Sequence, residues 1–179
     1  MYPTTMTEEF HDYVPPDWDE FFMRHVYLVA SKSKDPSTKI GAVIVKDNNI
    51  ISSGYNGFAR GVSDDPIRYN DREMKYLLVC HGEFNAVVSA ARHGISTLGS
   101  TIYTQGIPCN ECAKSVIQSG IKTVIVHQQW REYSKTSPTK WTKLAELSSM
   151  MFYEAGLEIR HYDKMLNIQG YRDGKVIKV

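Results

Sequence analysis

The stretch His81-Gly82-Glu83, followed by Pro108-Cys109-Asn110-Glu111-Cys112, organises the rest of this chain. One imidazole and two thiolates are typical zinc ligands, and a set of three leaves the fourth tetrahedral position open, as in catalytic rather than structural zinc sites. Cys109 and Cys112 have an i, i+3 spacing behind a proline, so both sulfurs can lie on one face of a helix's first turn. A helix N-terminus also favours the thiolate that binds metal. We therefore predict a catalytic zinc site formed by His81, Cys109 and Cys112.

Glu83 stands two residues after His81, close enough to face the metal without being a ligand. The order H-x-E followed by P-C-x-x-C is the general signature of zinc-dependent nucleobase deaminases, so this assignment is a match to a known pattern rather than a deduction. Glu83 is the candidate catalytic residue, as the group that moves protons. Alternatively, the cysteines are core thiols or half of a structural four-ligand site. A structural site needs a fourth donor, and Cys80 should point away from a metal bound by its neighbour.

Composition limits the classes of protein and partner. A chain of 179 residues with 42% hydrophobic residues suits one globular domain. The formal net charge of +1 argues against a nucleic-acid partner but allows a local pocket for one phosphate. No apolar run approaches the roughly 20 residues that span a bilayer, and the N-terminus lacks the apolar core of a signal peptide. Three cysteines with metal-type spacing favour a reducing compartment. We predict a cytoplasmic protein without a membrane partner.

Hydrophobic patterning predicts one domain over residues 17–162, which carries the zinc-deaminase motifs, between an N-terminal extension (1–16) and a C-terminal tail (163–179). The predicted strands are 40–45, 50–55, 101–104, 123–126 and 157–161. The predicted helices are 18–33, with Asp17 as its cap, 82–93, 110–119 and 144–155. Helical periodicity predicts inward faces of Trp18, Phe22, Val26 and Val29 in the first helix and of Phe84, Val87, Val88 and Ala91 in the second. Residues 58–80 show no clear periodicity and are predicted to be irregular. The result is an α/β protein with one mixed five-stranded sheet covered by helices on both faces.

From about residue 18 to residue 162 the sequence resembles the deoxycytidylate deaminases of the cytidine-deaminase-like superfamily. The segments that carry the resemblance, besides the two motifs, are Ser33-Lys34-Asp35-Pro36, Gly41-Ala42-Val43-Ile44-Val45, Gly54-Tyr55-Asn56-Gly57, Gly61-Val62-Ser63-Asp64-Asp65 and Gln118-Ser119-Gly120-Ile121-Lys122. The resemblance implies the cytidine-deaminase-like three-layer α/β/α sandwich and hydrolysis of dCMP to dUMP, which supplies thymidylate synthesis. It also implies a homohexamer that dCTP activates and dTTP inhibits, with Mg²⁺ bound beside the regulatory nucleotide. Gly82 departs from the alanine common there.

The resemblance also suggests substrate contacts. Asn56 resembles the superfamily asparagine that holds the sugar or base edge; the alternative is a turn asparagine in the left-handed conformation. Ser31, Ser33 and Lys34 are candidates for the substrate phosphate, and the alternative is a solvated helix end. Trp130 matches an aromatic position in relatives and is a candidate to close over the pyrimidine or sugar, with buried packing as the alternative.

Regulation is assigned to the stretch from residue 54 to residue 65. Gly57 and Gly61 allow backbone amides to approach a nucleotide phosphate, and Asp64 with Asp65 would receive magnesium carried by the triphosphate. The alternative is a solvent loop with a capping aspartate pair.

Three other functions compete with deamination of dCMP. A deaminase of a base in RNA or single-stranded DNA shares the same metal site but needs a basic, aromatic-lined groove. Free cytidine or deoxycytidine is a second possible substrate. A catalytically silent nucleotide-sensing module is the third, although a structural zinc would not need Glu83.

Overall fold

The computed structural model describes residues 14–132 and 140–179, and its centre is a mixed five-stranded sheet. The strands are β1 (Gly41–Lys46), β2 (Asn49–Tyr55), β3 (Gly57–Phe58), β4 (Val79–Cys80), β5 (Thr101–Thr104), β6 (Thr123–His127), β7 (Glu158–Tyr162), β8 (Gln169–Arg172) and β9 (Lys175–Lys178). The central sheet has the order β2-β1-β5-β6-β7. β1 is antiparallel to both of its neighbours, whereas β5, β6 and β7 run parallel.

Helices cover both faces of this sheet. They are α1 (Trp18–Ala30), α2 (Pro66–Asn70), α3 (Arg72–Leu78), α4 (Gly82–Arg92), α5 (Asn110–Gln118), α6 (Gln128–Glu132) and α7 (Lys140–Glu154). Successive strand residues point to opposite faces. Val43 and Ile125 pack with α1, whereas Ala42, Ile44 and Val124 pack with α4, α5 and α7. The predicted three-layer sandwich and mixed five-stranded sheet are confirmed.

Two glycines let helices approach the sheet closely and so fix the position of the metal-type motifs. A Cβ at Gly41 would lie 2.2 Å from the backbone oxygen of Val26 in α1, and a Cβ at Gly54 would lie 2.3 Å from the backbone nitrogen of Ala86 in α4. α4 therefore lies almost directly on β2. The first turn of α4, with His81 as its N-cap, is held at the end of the sheet.

The segment over residues 58–80, predicted to be irregular, instead contains α2 and α3. Both helices begin at a capping aspartate: Asp65 accepts a hydrogen bond from Ile67 N at 2.9 Å, and Asp71 accepts one from Met74 N at 3.0 Å. Side-chain caps satisfy the free amides of a first turn, so short helices can form without an amphipathic face. The prediction was wrong because it relied on periodicity alone.

Two predicted inward faces also differ from the structure. Trp18 is 55% exposed, and Phe84 and Val88 of α4 are 40% and 43% exposed, whereas Ala86 and Ala90 are fully buried. The close approach of α4 to Gly54 leaves room only for small side chains beneath the helix.

No secondary structure was predicted for the C-terminal tail (163–179). In the structure this tail contains the β8–β9 hairpin. Leu166 and Val179 flank it and are fully buried in the cluster that contains α1. In the predicted N-terminal extension, residues 1–13 lie outside the described residues. No helix within residues 14–132 and 140–179 combines the length and the apolar character needed to cross a bilayer.

Candidate metal centre and active site

The N-termini of α4 and α5 bring the three predicted metal ligands together. His81 is the N-cap of α4, Cys109 is the N-cap of α5, and Cys112 lies in the first turn of α5. The ligand atoms of the three residues lie within 4.8 Å of one another. The side chains of the two N-cap residues contact each other, with Cys109 Sγ 3.2 Å from His81 Nδ1, so both point to the shared centre. A buried set of one imidazole and two thiols fits zinc, which prefers nitrogen and sulfur donors in tetrahedral geometry.

The electrostatics of this cluster favour a metal cation. Hydrogen bonds with Cys112 and, less strongly, with His81 lower the pKa of the Cys109 thiol to about 4, against the opposing effect of burial. The hydrogen bond with Cys109, followed by burial, raises the pKa of Cys112. The Sγ atoms of Cys109 and Cys112 lie 3.2 Å and 3.5 Å from His81 Nδ1. A divalent cation can replace the protons shared by these three groups, which couples metal binding to proton release.

Glu83 is buried in the first turn of α4, beside the cluster. Burial raises the pKa of its carboxyl group, while the charge of His81 opposes this shift. Thr104, the last residue of β5, donates a hydrogen bond from Oγ1 to Glu83 Oε1 at 3.3 Å. Thr104 was not predicted as a site residue, because its only signal in the sequence is its place at the end of a buried strand. A carboxyl group held in this way can accept a proton and donate it again, the two steps of general acid–base catalysis.

Asn56 is buried between β2 and β3, and protein groups bind its amide. Oδ1 accepts a hydrogen bond from Ile40 N at 2.8 Å, while Nδ2 donates to Thr38 O at 2.9 Å and to Asp35 Oδ2 at 3.3 Å. Its backbone does not have positive φ, so the left-handed turn alternative does not apply. These contacts use both amide hydrogens and leave one lone pair of Oδ1, so Asn56 can still accept a hydrogen bond from a ligand.

The three predicted phosphate contacts have different environments. Ser31 is exposed and donates from Oγ to Leu28 O at the end of α1. Ser33 is buried, and its Oγ donates to Asn56 O at 2.8 Å. The Lys34 side chain is 66% exposed, and its Nζ lies 2.8 Å from Asp64 Oδ2. Lys34 therefore has the cationic group and the access that a phosphate contact needs, and all three assignments stay predictions.

The predicted regulatory residues lie on the segment that leads to α2. Asp64 accepts hydrogen bonds from Lys34 and, at 3.2 Å, from Tyr69 Oη. Asp65 caps α2, and Gly61 has φ +84°, a conformation that favours glycine. Gly57 lies in β3 and pairs with Cys80 of β4, the residue before His81. The segment is thus joined by a strand ladder to the metal-ligand motif.

Trp130 is 6% exposed, and the Arg172 guanidinium lies 5.0 Å from the centre of its ring. Burial and this contact fit the alternative in which Trp130 is a packing residue. A substrate role for Trp130 stays a prediction.

A different tryptophan, Trp141 of α7, lies beside the cluster: its ring centre is 5.8 Å from that of His81 and 6.1 Å from that of Tyr76. No local sequence signal predicts this placement, because Trp141 is 60 residues from His81 in the chain and only the tertiary packing brings the two rings together.

Comparisons with known proteins agree with this geometry. The family model described as the cytidine and deoxycytidylate deaminase zinc-binding region matches residues 16–128. A deaminase from the luxG 3′ region of Aliivibrio fischeri is 39% identical over 142 residues, which cover 79% of this chain and 91% of that protein. The deoxycytidylate deaminase of Mus musculus is 36% identical over 153 residues, which cover 82% of this chain and 80% of that protein.

A solved structure has the same fold. The dCMP deaminase of cyanophage S-TIM5, in complex with dCMP and dUMP, superposes with a TM-score of 0.62 at 24% identity and covers 84% of this chain and 100% of its own. This structural likeness supports the fold of the chain. Its relationship to the deaminases rests on the sequence matches.

Proposed function

The chain belongs to the cytidine and deoxycytidylate deaminase family and is therefore a deaminase, and we propose that it hydrolyses dCMP to dUMP and ammonia with catalytic Zn²⁺. The observation that carries this proposal is a buried carboxyl group, Glu83, beside a His81, Cys109 and Cys112 cluster at two converging helix N-termini. The name of the mouse relative supports dCMP as the substrate. The product dUMP would then supply thymidylate synthesis. We also propose a cytoplasmic location, where the ligand thiols stay reduced.

In the proposed mechanism, His81, Cys109 and Cys112 hold zinc, which supplies Lewis-acid activation of water when bound. Glu83 takes a proton from the attacking water and gives it to N3 of cytosine while the oxygen adds at C4. Glu83 then carries the second water proton to the leaving amine, so that ammonia departs and uracil remains. The Thr104 hydroxyl holds one carboxylate oxygen and leaves the other for these transfers.

The proposal is tested by measuring ammonia release from dCMP, deoxycytidine, cytidine and cytosine-containing single-stranded DNA and RNA. We expect turnover with dCMP and loss of turnover when the phosphate is removed. Ammonia from the oligonucleotides alone would favour the nucleic-acid alternative. Full zinc content without ammonia from any of these compounds would favour the silent nucleotide-sensing module.

Lys34→Ala is expected to raise the KM for dCMP by roughly 10- to 100-fold, since a hydrogen bond to a charged group contributes about 1.5–3 kcal/mol. The measurement is steady-state kinetics with dCMP. Lys32→Ala is the control, because Lys32 is an exposed cation on the same turn. An unchanged KM in Lys34→Ala would move the phosphate site to Arg60, Arg68 or Arg72.

We also infer regulation of this activity, with activation by dCTP and inhibition by dTTP through the triphosphate site that includes Gly57, Gly61, Asp64 and Asp65. Mg²⁺ would bind with the nucleotide, since carboxylate and phosphate oxygens are its preferred ligands. The ladder between Gly57 and Cys80 supports this inference, because a shift of the segment would reach the residue before His81. Two effectors that act in opposite directions must bind the active and inactive states unequally.

The double substitution Asp64→Asn with Asp65→Asn is expected to raise the dCTP and dTTP concentrations needed for half effect by roughly tenfold or more. Asparagine is a good N-cap, so α2 should persist and zinc content should stay normal. Asp71→Asn makes the same change at the cap of α3 and is the matched control. Normal activation and inhibition in the double variant would place the regulatory site elsewhere.

A homohexamer is the assembly that we propose. Ile67 and Leu77, in α2 and α3, are 73% and 81% exposed, and Val88 of α4 is 43% exposed. Subunit contacts would bury these apolar side chains, which single protomers leave in water. Sedimentation equilibrium should give six times the 20.4 kDa mass of one chain.

A further inference from the structure

A buried ion pair joins α3 to the loop between α1 and β1. Lys75 Nζ lies 3.1 Å from Asp35 Oδ1, and the two side chains are 8% and 5% exposed. Lys75 Nζ also donates to Ser37 Oγ at 3.2 Å. Removing two charges from water costs much of what their attraction returns, so a buried pair is weak evidence for a role in stability alone. The residues that the ion pair contacts therefore indicate its role better than its contribution to stability does.

Asp35 connects this pair to Asn56. Its Oδ1 accepts the Lys75 ammonium and also hydrogen bonds from Ser37 N at 2.7 Å and Thr38 N at 3.3 Å. Its other oxygen, Oδ2, accepts the bond from Asn56 Nδ2. Lys75 and the two backbone amides thus orient a carboxylate whose other oxygen holds the asparagine.

The remaining contacts of Asn56 leave its amide one orientation. Nδ2 must face Asp35 and Thr38 O, and Oδ1 must face Ile40 N, because flipping the amide would set donors against donors. In this orientation one lone pair of Oδ1, and no amide hydrogen, remains available for a ligand. A substrate hydroxyl or amino group is the chemistry that such an acceptor recognises.

We propose that Asp35 and Lys75 are positioning residues for Asn56, so that the substrate contact of Asn56 depends on the packing of α3. This rests on the proposed function, since it takes Asn56 to touch the substrate. Neither Asp35 nor Lys75 touches the substrate itself. Movement of α3 would alter substrate binding through the amide of Asn56, without a change at the metal ligands.

The kinetic test is a double-mutant cycle of Lys75→Met and Asn56→Ala in the zinc-loaded enzyme. Lys75→Met is expected to lower kcat/KM for dCMP about tenfold or more, with normal zinc content. In the Asn56→Ala background, Lys75→Met should cause no further loss, because residues that act through one group are not additive. Losses that multiply would overturn the proposal and leave the pair a stability element.

A second measurement does not depend on turnover. The Ile40 amide is protected by Asn56 Oδ1, so its hydrogen exchange reports the position of the asparagine. Lys75→Met should accelerate exchange at Ile40 by about tenfold or more while Val43, inside β1, is unchanged. Lys164→Met breaks an exposed ion pair with Asp17 and should leave both amides unchanged. Unchanged exchange at Ile40 in Lys75→Met would contradict the positioning role.

Two further experiments distinguish failure of this proposal from failure of the proposed function. Asp35→Asn, which keeps the shape of the side chain, replaces Lys75→Met in both tests if the latter does not fold, with the same expected result. Calorimetric titration of dCMP into Glu83→Gln enzyme measures binding without turnover, and Lys75→Met should weaken it in this background too. Failure of the zinc-loaded wild type to release ammonia from dCMP would reject the proposed function, whereas the exchange experiment would still decide whether the ion pair holds Asn56.

Discussion

Glu83→Ala is expected to lower kcat for dCMP by about 10²- to 10⁴-fold, the usual contribution of a general acid–base group. Glu83 lies outside the cluster of three ligand atoms, so zinc content should stay near one per chain. The melting temperature should change little, because the void left by the buried side chain is offset by removal of a carboxyl group whose charged form burial penalises. The measurements are ammonia release, metal analysis and thermal unfolding on the same preparation.

Glu83→Gln sharpens this test, because the amide oxygen can still accept the bond from Thr104 while the side chain can no longer carry a proton. We expect the same loss of kcat in both variants. Glu154→Gln is the control for a neutralised glutamate, at an exposed position at the end of α7. Wild-type kcat in Glu83→Gln would remove Glu83 from the mechanism. Loss of zinc together with turnover would make it a structural residue.

The central sheet was predictable because its inner strands β1, β5 and β6 are buried on both faces. β1 and β6 carry continuous apolar runs, whereas β5 has Ile102 and Tyr103 between two threonines, residue types that favour strands. α2 and α3 have 5 and 7 residues, too few for a repeating apolar pattern to be recognised. Capping aspartates define these two helices instead. Asp65-Pro66 is a cap followed by proline at the first helical position, so this signal was present in the sequence.

The C-terminal hairpin also had a readable signal. Asp173 and Gly174 have φ values of 50° and 74°, the conformation of a two-residue turn for which Asp-Gly is a preferred sequence. The inward face of α4 had no such signal. It depends on Gly54, about 30 residues away in the chain, against which the helix backbone packs.

The proximity of His81, Cys109 and Cys112 was predictable from spacing, because all three lie at helix starts that the sequence defines. The contacts of Asn56 were not, because Ile40 and Thr38 are 16 and 18 residues away and the pair of Asp35 with Lys75 spans 40 residues. Sequence patterns identify residue types, whereas the direction in which an amide points depends on the whole packed arrangement. This is why the sequence suggested Asn56 as a substrate residue without indicating which groups hold it.

Cys112→Ala is expected to lower zinc content from about one per chain to near zero and to abolish deamination. Two ligands hold zinc far less tightly than three, and Cys112 is 2% exposed, so the substitution also leaves a small void where α5 packs. Bound zinc stabilises the fold by about 3 kcal/mol when free zinc is about a hundredfold above Kd, and this contribution should vanish. Metal analysis and thermal unfolding with and without a chelator measure both effects.

Cys80→Ala is the matched control, because Cys80 is the remaining cysteine and lies outside the cluster, in β4. It should keep one zinc and respond to chelation as the wild type does. In Cys112→Ala, by contrast, the chelator should no longer shift the melting temperature, since there is no bound metal to remove. A Cys112→Ala protein with one zinc per chain would show that another donor replaces the thiolate. A wild-type stoichiometry near two would mean that a second set of ligands exists beside His81, Cys109 and Cys112.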